Sequence, residues 1–90
     1  MNTLSRFVVI RNKRGLHARA AAKFSQTAGR FNAQITVMRG SQNVSATSIM
    51  GLMMLAASPG TKIVLTASGE QGEEALNAIC DLIDAKFEEE

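Results

Sequence analysis

Two segments of this sequence alternate apolar and polar side chains one by one. Between residues 33 and 37 apolar side chains take every second position, and the pattern recurs between residues 62 and 67 around Ile63 and Leu65. Successive side chains of a β-strand point to opposite faces. The alternation therefore predicts a sheet that is packed on one face only, with its helices together on that single side.

The remaining segments complete an alternating order of strands and helices. The predicted strands lie at residues 5–11, 33–37, 43–46 and 62–67, with a hairpin turn at 39–42. The predicted helices run from 17 or 18 to 28, from an N-cap at Thr47 or Ser48 to about 56, and onward from an opening turn at 69–72. The order β-α-β-β-α-β-α indicates an α+β open-faced sandwich, with residues 1–90 forming a single domain.

Single residues predict where these helices end and which side they bury. Gly29 is expected to stop the first helix by taking the left-handed conformation, and residues 58–60 are expected to end the second. The first helix has a predicted buried stripe of Ala21, Phe24 and Ala28. The stripe predicted for the third helix consists of Leu76, Ile79, Cys80, Ile83 and Phe87. The last residues, 88–90, are expected to fray.

The stretch Gly15-Leu16-His17-Ala18-Arg19 (residues 15–19) combines a reactive side chain with a helix start. His17 is the only histidine, and it follows a glycine turn and precedes a run of alanines. The first N–H groups of a helix have no intrahelical partner and carry partial positive charge, which favours phosphate. A nucleophilic imidazole there, with Arg19 nearby, predicts a group that accepts and passes on phosphoryl. The alternatives are a structural histidine and a solvated arginine.

A second motif, Ser48-Ile49-Met50-Gly51-Leu52-Met53-Met54-Leu55 (residues 48–55), occurs later in the chain. Together with residues 15–19 it resembles the HPr family, the histidine phosphocarriers of the bacterial phosphotransferase system, including the nitrogen-branch NPr proteins. The resemblance extends from about residue 6 to residue 87. It implies an antiparallel four-stranded sheet in the order 1-4-2-3 with three helices on one face. Ala20 stands where the family usually has proline, which leaves the first helical turn less rigid.

The resemblance also implies roles for individual residues and partners. His17 would accept a phosphoryl group at Nδ1 from Enzyme I, with phosphoenolpyruvate as its source, and pass it to a histidine of an Enzyme II A component. Arg19 would balance the charge of the transferring group. The chain would then be a carrier rather than an enzyme, without metal or cofactor, because each partner brings the other half of the active site. Ser48, whose simplest role is the N-cap, would also be the regulatory serine of an HPr kinase/phosphorylase.

The helix after Ser48 has more apolar side chains than two turns can bury. Leu52 and Leu55 are expected in the core, which leaves several side chains for the surface, where methionines adapt to different partners. The family resemblance implies that Enzyme I and the Enzyme II A domains dock on this surface and on neighbouring parts of the first helix. The expected docking residues are Ala18, Arg19, Ala22, Ile49, Met50 and Met53. The alternative is that all the apolar side chains lie in the core.

Charge is divided sharply along the chain. Residues 1–69 contain nine of the ten Lys and Arg residues and no acid, whereas residues 70–90 contain all eight acids and Lys86 as their sole base. One interpretation is a basic working face that attracts an anionic partner. The other is internal neutralisation, with the acidic helix lying over basic neighbours.

Composition bounds the compartment and excludes some function classes. Cys80 is the only cysteine, which fits a reducing compartment, and residues 1–10 lack a signal peptide. The longest apolar stretch, residues 49–57, is far shorter than the roughly 20 residues that cross a bilayer. We therefore expect a cytoplasmic protein that does not insert into a membrane, and we also expect a monomer.

Two rival functions use the same surface features. The first is a regulatory module that binds proteins through the same face under control of Ser48 phosphorylation; the retained His17 favours the carrier. The second is a nucleic-acid binder, suggested by the isoelectric point of about 9.1. The chain has no Trp or Tyr for stacking and no run of basic residues, so no nucleic-acid partner is expected.

Overall fold

The computed structural model describes residues 3–89 of the chain and confirms the predicted order of elements. The strands are β1 (Leu4–Val9), β2 (Gln34–Arg39), β3 (Gln42–Ser45) and β4 (Lys62–Ser68). The helices are α1 (Ala18–Gly29), α2 (Ile49–Met54) and α3 (Gly72–Asp84). A short C-terminal turn, Lys86–Glu88, follows α3. The fold is therefore an α+β open-faced sandwich.

The sheet has the order β1-β4-β2-β3 with every pair antiparallel, as the resemblance implied. On the two central strands the predicted alternation holds, because Ile35 and Val37 of β2 and Ile63 and Leu65 of β4 are buried. The helices cover that face. The opposite face meets solvent, where Phe7 of β1 is 73% exposed.

The core lies between the covered face of the sheet and the helices. Phe24 of α1 is fully buried and stacks on Phe87, with 6.5 Å between the ring centroids. Leu52 and Leu55 are also fully buried, as predicted, and they bring α2 onto the core. Cys80 corrects the predicted stripe of α3, since it is only half-buried at the border of the core.

Several strand boundaries differ from the prediction by one or two residues. The first strand ends at Val9 rather than at residue 11, because Ile10 instead exchanges backbone hydrogen bonds with the loop before β4. Its N–H donates to the Thr61 oxygen at 3.0 Å, and its oxygen accepts the N–H of Gly60 at 2.8 Å. The second hairpin strand begins at Gln42, since only Gly40 and Ser41 form the turn.

The end of α1 contradicts the predicted role of Gly29. This glycine remains inside the helix and does not take the left-handed conformation. The helix is closed instead by Arg30, whose backbone has right-handed helical angles and whose N–H donates to the Thr27 oxygen at 3.2 Å. No special conformation is therefore required at this helix end.

The second helix ends at Met54, before the predicted stop at residues 58–60. Ala56 takes a left-handed conformation with φ of 52°, which breaks the helical path. The side chain of Arg39 from β2 explains the early end. Its Nη1 donates to the oxygens of Leu55 at 2.6 Å and Ala56 at 3.1 Å, and so satisfies carbonyl groups that a helix end leaves free.

The C-terminal turn corrects two predictions. Phe87 is buried as expected, but it lies beyond α3, in a turn whose residues all have left-handed φ angles of 56° to 62°. Glu88 and Glu89 are not frayed, because both contact side chains of the folded chain, whereas Glu90 lies outside the described residues. No helix within residues 3–89 is long and apolar enough to cross a membrane.

Candidate functional site

A glycine turn fixes the direction in which the chain enters α1. Gly15 has a φ of 67°, and a Cβ atom on it would lie 2.5 Å from the Ala57 oxygen. The following residue, Leu16, is buried and donates its N–H to the same oxygen at 2.9 Å. The turn before His17 is therefore packed against the segment that follows α2.

His17 is the N-cap of α1, as predicted. Its backbone is extended, and its oxygen accepts the N–H of Ala21 at 2.8 Å. Its side chain is 18% exposed and does not cap the helix, which leaves the first N–H groups of α1 without a side-chain acceptor from this residue. Within residues 3–89, Nδ1 of the ring has no hydrogen-bond partner. The ring is thus neither fully buried nor engaged in capping the helix.

The other ring nitrogen is engaged by a residue that the sequence analysis missed. Nε2 of His17 forms a hydrogen bond with Oε2 of Glu89, and the two residues are 72 positions apart. The second carboxylate oxygen of Glu89 accepts from Nδ2 of Asn12 at 3.0 Å. Asn12 is almost fully buried and also donates to the Gly15 oxygen at 2.7 Å. No local pattern indicates such a contact, because it depends on how the chain end returns to the sheet.

The charge of Glu89 is stabilised in this position. Burial alone raises the pKa of its carboxyl group. Hydrogen bonds from His17 and Asn12, followed by the charges of His17 and Arg14, outweigh this and bring the pKa below its ordinary value. The carboxylate therefore stays ionised next to the imidazole.

Cations surround this end of the molecule without closing over the ring. A cleft beside Glu89 is lined by Arg11, Lys13, Arg14 and Lys86 together with Asn12. The exposed Arg19 makes no hydrogen bond or ion pair within the described residues, so its guanidinium group is available for a ligand. Among residues 3–89 no three His, Cys, Asp or Glu side chains are grouped as metal ligands.

Ser48 caps α2 as predicted. Its Oγ accepts the N–H of Gly51 at 3.0 Å, and the residue is half-buried. The helix it begins exposes most of its apolar side chains: Ile49 and Met53 at 42%, Met50 at 74%, and also Met54 at 69%, which was not predicted. On α1, Ala18 is exposed and Ala22 half-buried. The alternative in which these apolar side chains of α2 all lie in the core is therefore wrong.

The helices that carry His17 and Ser48 pack on each other. A hydrogen bond of 3.0 Å from the Ser25 hydroxyl to the Thr47 oxygen joins α1 to the start of α2. The structure thus brings the ring, its helix N-terminus and the exposed apolar side chains of α2 together on neighbouring elements.

Comparison with known proteins decides the family. Residues 4–85 match the family profile described as "PTS HPr component phosphorylation site". The chain belongs to the HPr family. It is 48% identical to the phosphocarrier protein NPr of Shewanella violacea over 99% of this chain and 98% of that protein. It is 52% identical to the phosphocarrier protein HPr of Pseudomonas aeruginosa over 91% and 92% of the two chains.

A solved HPr structure has the same fold. The crystal structure of HPr-C-His from Thermoanaerobacter tengcongensis superposes with a TM-score of 0.90 at 48% identity, over 100% of this chain and 99% of that one. HPr proteins are phosphocarriers of the phosphotransferase system, and they carry a group rather than catalyse a reaction. The resemblance stated from the two motifs is therefore confirmed.

Proposed function

We propose that His17 is the residue that carries the phosphoryl group, received from phosphorylated Enzyme I and passed to a histidine of an Enzyme II A component. The carrying observation is the setting of the ring, which is part-exposed at the N-cap of α1 with Nδ1 unbonded within residues 3–89. A neutral imidazole nitrogen is nucleophilic without a separate base. The free N–H groups of α1 supply donors for the phosphoryl oxygens once the group is attached.

Arg19 would stabilise the transferring group. Its guanidinium is exposed and has no partner within the described chain, so it can turn toward phosphoryl oxygens between the two proteins. A cation at that place balances charge that develops during transfer. The carrier needs no cofactor of its own under this proposal, since phosphoenolpyruvate enters through Enzyme I.

The surface beside the ring supports protein partners. We define the docking surface as Ala18, Ala22, Ile49, Met50 and Met53, which lie on α1 and α2. Its adaptable, exposed methionines suit several partners of similar shape. Relatives named both HPr and NPr have similar identity to this chain, so the acceptor proposed here serves sugar uptake or nitrogen-branch regulation. The side chains that this proposal uses all belong to one chain, so the proposal requires no second copy. We therefore propose a monomer, and we place it in the cytoplasm.

The test is phosphorylation by Enzyme I with phosphoenolpyruvate, followed by intact-mass measurement of wild type and His17→Ala. We expect one phosphoryl group on wild type, lost in acid, and none on the variant. Arg30→Ala, changed at the far end of α1, is the matched control and should be labelled like wild type. A wild-type chain that stays unlabelled by an Enzyme I competent on another HPr would overturn the proposal.

Ser48 gives the regulatory alternative, in which the chain binds proteins without carrying phosphate. A phosphate on its Oγ would place about two negative charges next to Ile49 and Met50, inside the docking surface. We propose that an HPr kinase/phosphorylase modifies Ser48 and that modification weakens docking. Incubation with such a kinase and ATP should label wild type but not Ser48→Ala. A kinase that labels its own HPr and leaves this chain unlabelled would contradict the regulatory role.

A further inference from the structure

The C-terminal turn delivers a carboxylate to the imidazole and holds it at two points. One oxygen of Glu89 meets Nε2 of His17, and the other accepts from Asn12 at 3.0 Å. Asn12 is itself fixed by its bond to the Gly15 oxygen, in the turn that leads to the ring. The carboxylate is therefore oriented by the same turn that orients the ring. Its position relative to Nε2 is fixed because each of its two oxygens has its own partner.

The segment before Glu89 is anchored although its backbone is unfavourable. The three residues of the turn, Lys86, Phe87 and Glu88, all have positive φ. For any residue that has a side chain, this conformation is unfavourable in free energy, and it persists only where surrounding contacts hold it. Phe87 is fully buried against Phe24 of α1. From the same helix, Lys23 donates to the Phe87 oxygen at 2.7 Å and lies 3.5 Å from a Glu88 oxygen. Contacts with α1 thus hold the turn in the conformation that places Glu89 on the ring.

We propose that Glu89 is a positioning residue for phosphoryl transfer, which holds His17 as the Nε2–H tautomer so that Nδ1 carries the lone pair. The proposal rests on the function proposed above for His17. A carboxylate accepts hydrogen bonds and donates none, so a neutral ring facing it must present a proton from Nε2. The ring has only one proton in its neutral form, and Nδ1 is then left as the nucleophile.

The transfer step balances without moving a proton. The Nδ1 lone pair forms the new bond to phosphorus, while the bond from phosphorus to the donor atom of phosphorylated Enzyme I breaks and its electron pair returns to that atom. Nε2 keeps its proton throughout. The ring gains positive charge as the new bond forms. The carboxylate that contacts Nε2 stabilises this positive charge from the side of the ring away from the phosphoryl group. Return of the ring to neutrality accompanies the onward transfer.

Glu89→Ala tests the proposal through the protonation of the ring itself. Nitrogen-15 NMR of the His17 ring at neutral pH distinguishes its two tautomers and needs no partner protein. We expect the wild-type ring to be almost entirely Nε2–H, and the ratio of Nδ1–H to Nε2–H to rise by about tenfold in the variant. Glu89→Gln should give an intermediate shift, because its single oxygen cannot serve both His17 and Asn12. An unchanged ratio in Glu89→Ala would overturn the proposal.

Transfer kinetics supply the second measurement. Glu89→Ala should lower kcat for phosphorylation by Enzyme I while leaving KM nearly unchanged, because the docking surface is intact. Asp84→Ala is the matched control: it removes an exposed carboxylate at the end of α3 that makes no side-chain hydrogen bond or ion pair within residues 3–89, and should keep both the wild-type tautomer ratio and the wild-type kcat. Equal losses of kcat in the two variants would show that removing any acid near this end of α3 slows transfer and would contradict the proposal. Wild type that accepts no phosphate refutes the carrier function, whereas an unchanged ring in Glu89→Ala refutes only the role of Glu89.

Discussion

Gly15 and Ala57 approach so closely that the Ala57 oxygen blocks the space that any side chain at position 15 would need. That oxygen also accepts the N–H of Leu16, so one carbonyl group both excludes a side chain and holds the backbone. The relationship joins the turn before His17 to the segment after α2. The orientation of the ring therefore depends on a residue outside both sequence motifs.

Gly15→Ala should destabilise the fold and slow transfer together. The alanine would meet a positive φ and a carbonyl oxygen at 2.5 Å, for a combined loss of about 2–5 kcal/mol in the free energy of unfolding. Gly40→Ala is the matched control, since Gly40 has a φ of 58° with no atom within 4 Å of a built Cβ. It should lose only about 1–2 kcal/mol, measured by urea unfolding, and transfer at the wild-type rate. Equal losses would mean that the Ala57 contact contributes nothing.

Arg19→Ala should slow phosphoryl transfer more than it weakens the fold. The exposed side chain makes no hydrogen bond or ion pair within residues 3–89, so the melting temperature should stay close to that of wild type. Loss of a charge-assisted hydrogen bond to the transferring group, about 1.5–3 kcal/mol, corresponds to roughly 10- to 150-fold in rate. Single-turnover transfer from phosphorylated Enzyme I measures this, with Arg30→Ala as control. Wild-type transfer with a lowered melting temperature would contradict the role of Arg19.

Two substitutions of Ser48 separate helix capping from docking. Ser48→Ala removes the acceptor for the Gly51 N–H and should lower the free energy of unfolding by about 0.5–2 kcal/mol, with little effect on KM for Enzyme I. Ser48→Asp keeps a good N-cap and so keeps stability, but its charge next to Ile49 and Met50 should raise KM. Chemical denaturation and transfer kinetics on both variants check the pair. A raised KM in Ser48→Ala alone would reverse the assignment.

Glu89 should make stability depend on pH in the acid range. Its pKa in the folded chain lies below the ordinary value near 4.5, so the unfolded chain binds the proton more readily. The stabilisation is therefore present above about pH 4.5 and is lost as the pH falls through the folded-state pKa. The carboxylate faces His17, Asn12 and Arg14, and Glu89→Gln removes this titration. Urea midpoints between about pH 6 and pH 3 should fall more steeply for wild type than for the variant. Parallel curves would exclude the effect.

Local patterns were sufficient to predict most of the fold. The alternation around Ile35 and Leu65 predicts which face of the sheet is covered, because burial follows the pleat. Helix ends were less predictable where a distant side chain intervenes. Arg39 closes α2 two residues early, and no property of the helix itself indicates that a guanidinium from β2 will take its carbonyl oxygens.

The site was predicted in its local part and missed in its long-range part. A glycine turn, a histidine and a helix start are neighbours in sequence, so their geometry follows from residues 15–19. The contact between His17 and Glu89 joins residues 72 positions apart, so it depends on the whole fold and on no local pattern. Three consecutive glutamates also resemble a solvated segment, whereas the burial of Phe87 brings Glu88 and Glu89 back toward α1.

The left-handed turn at Lys86–Glu88 has a consequence for local opening of the site. A segment held in an unfavourable backbone conformation by a few contacts gains conformational freedom when it detaches, so it opens at a lower free energy than the helix before it. Amide hydrogens of residues 87–89 should then exchange with solvent faster than those in the middle of α3. Such local opening would expose Nε2 to solvent while the sheet stays folded. The imidazole would then alternate between a state in which Glu89 covers Nε2 and a state in which solvent reaches it, without global unfolding.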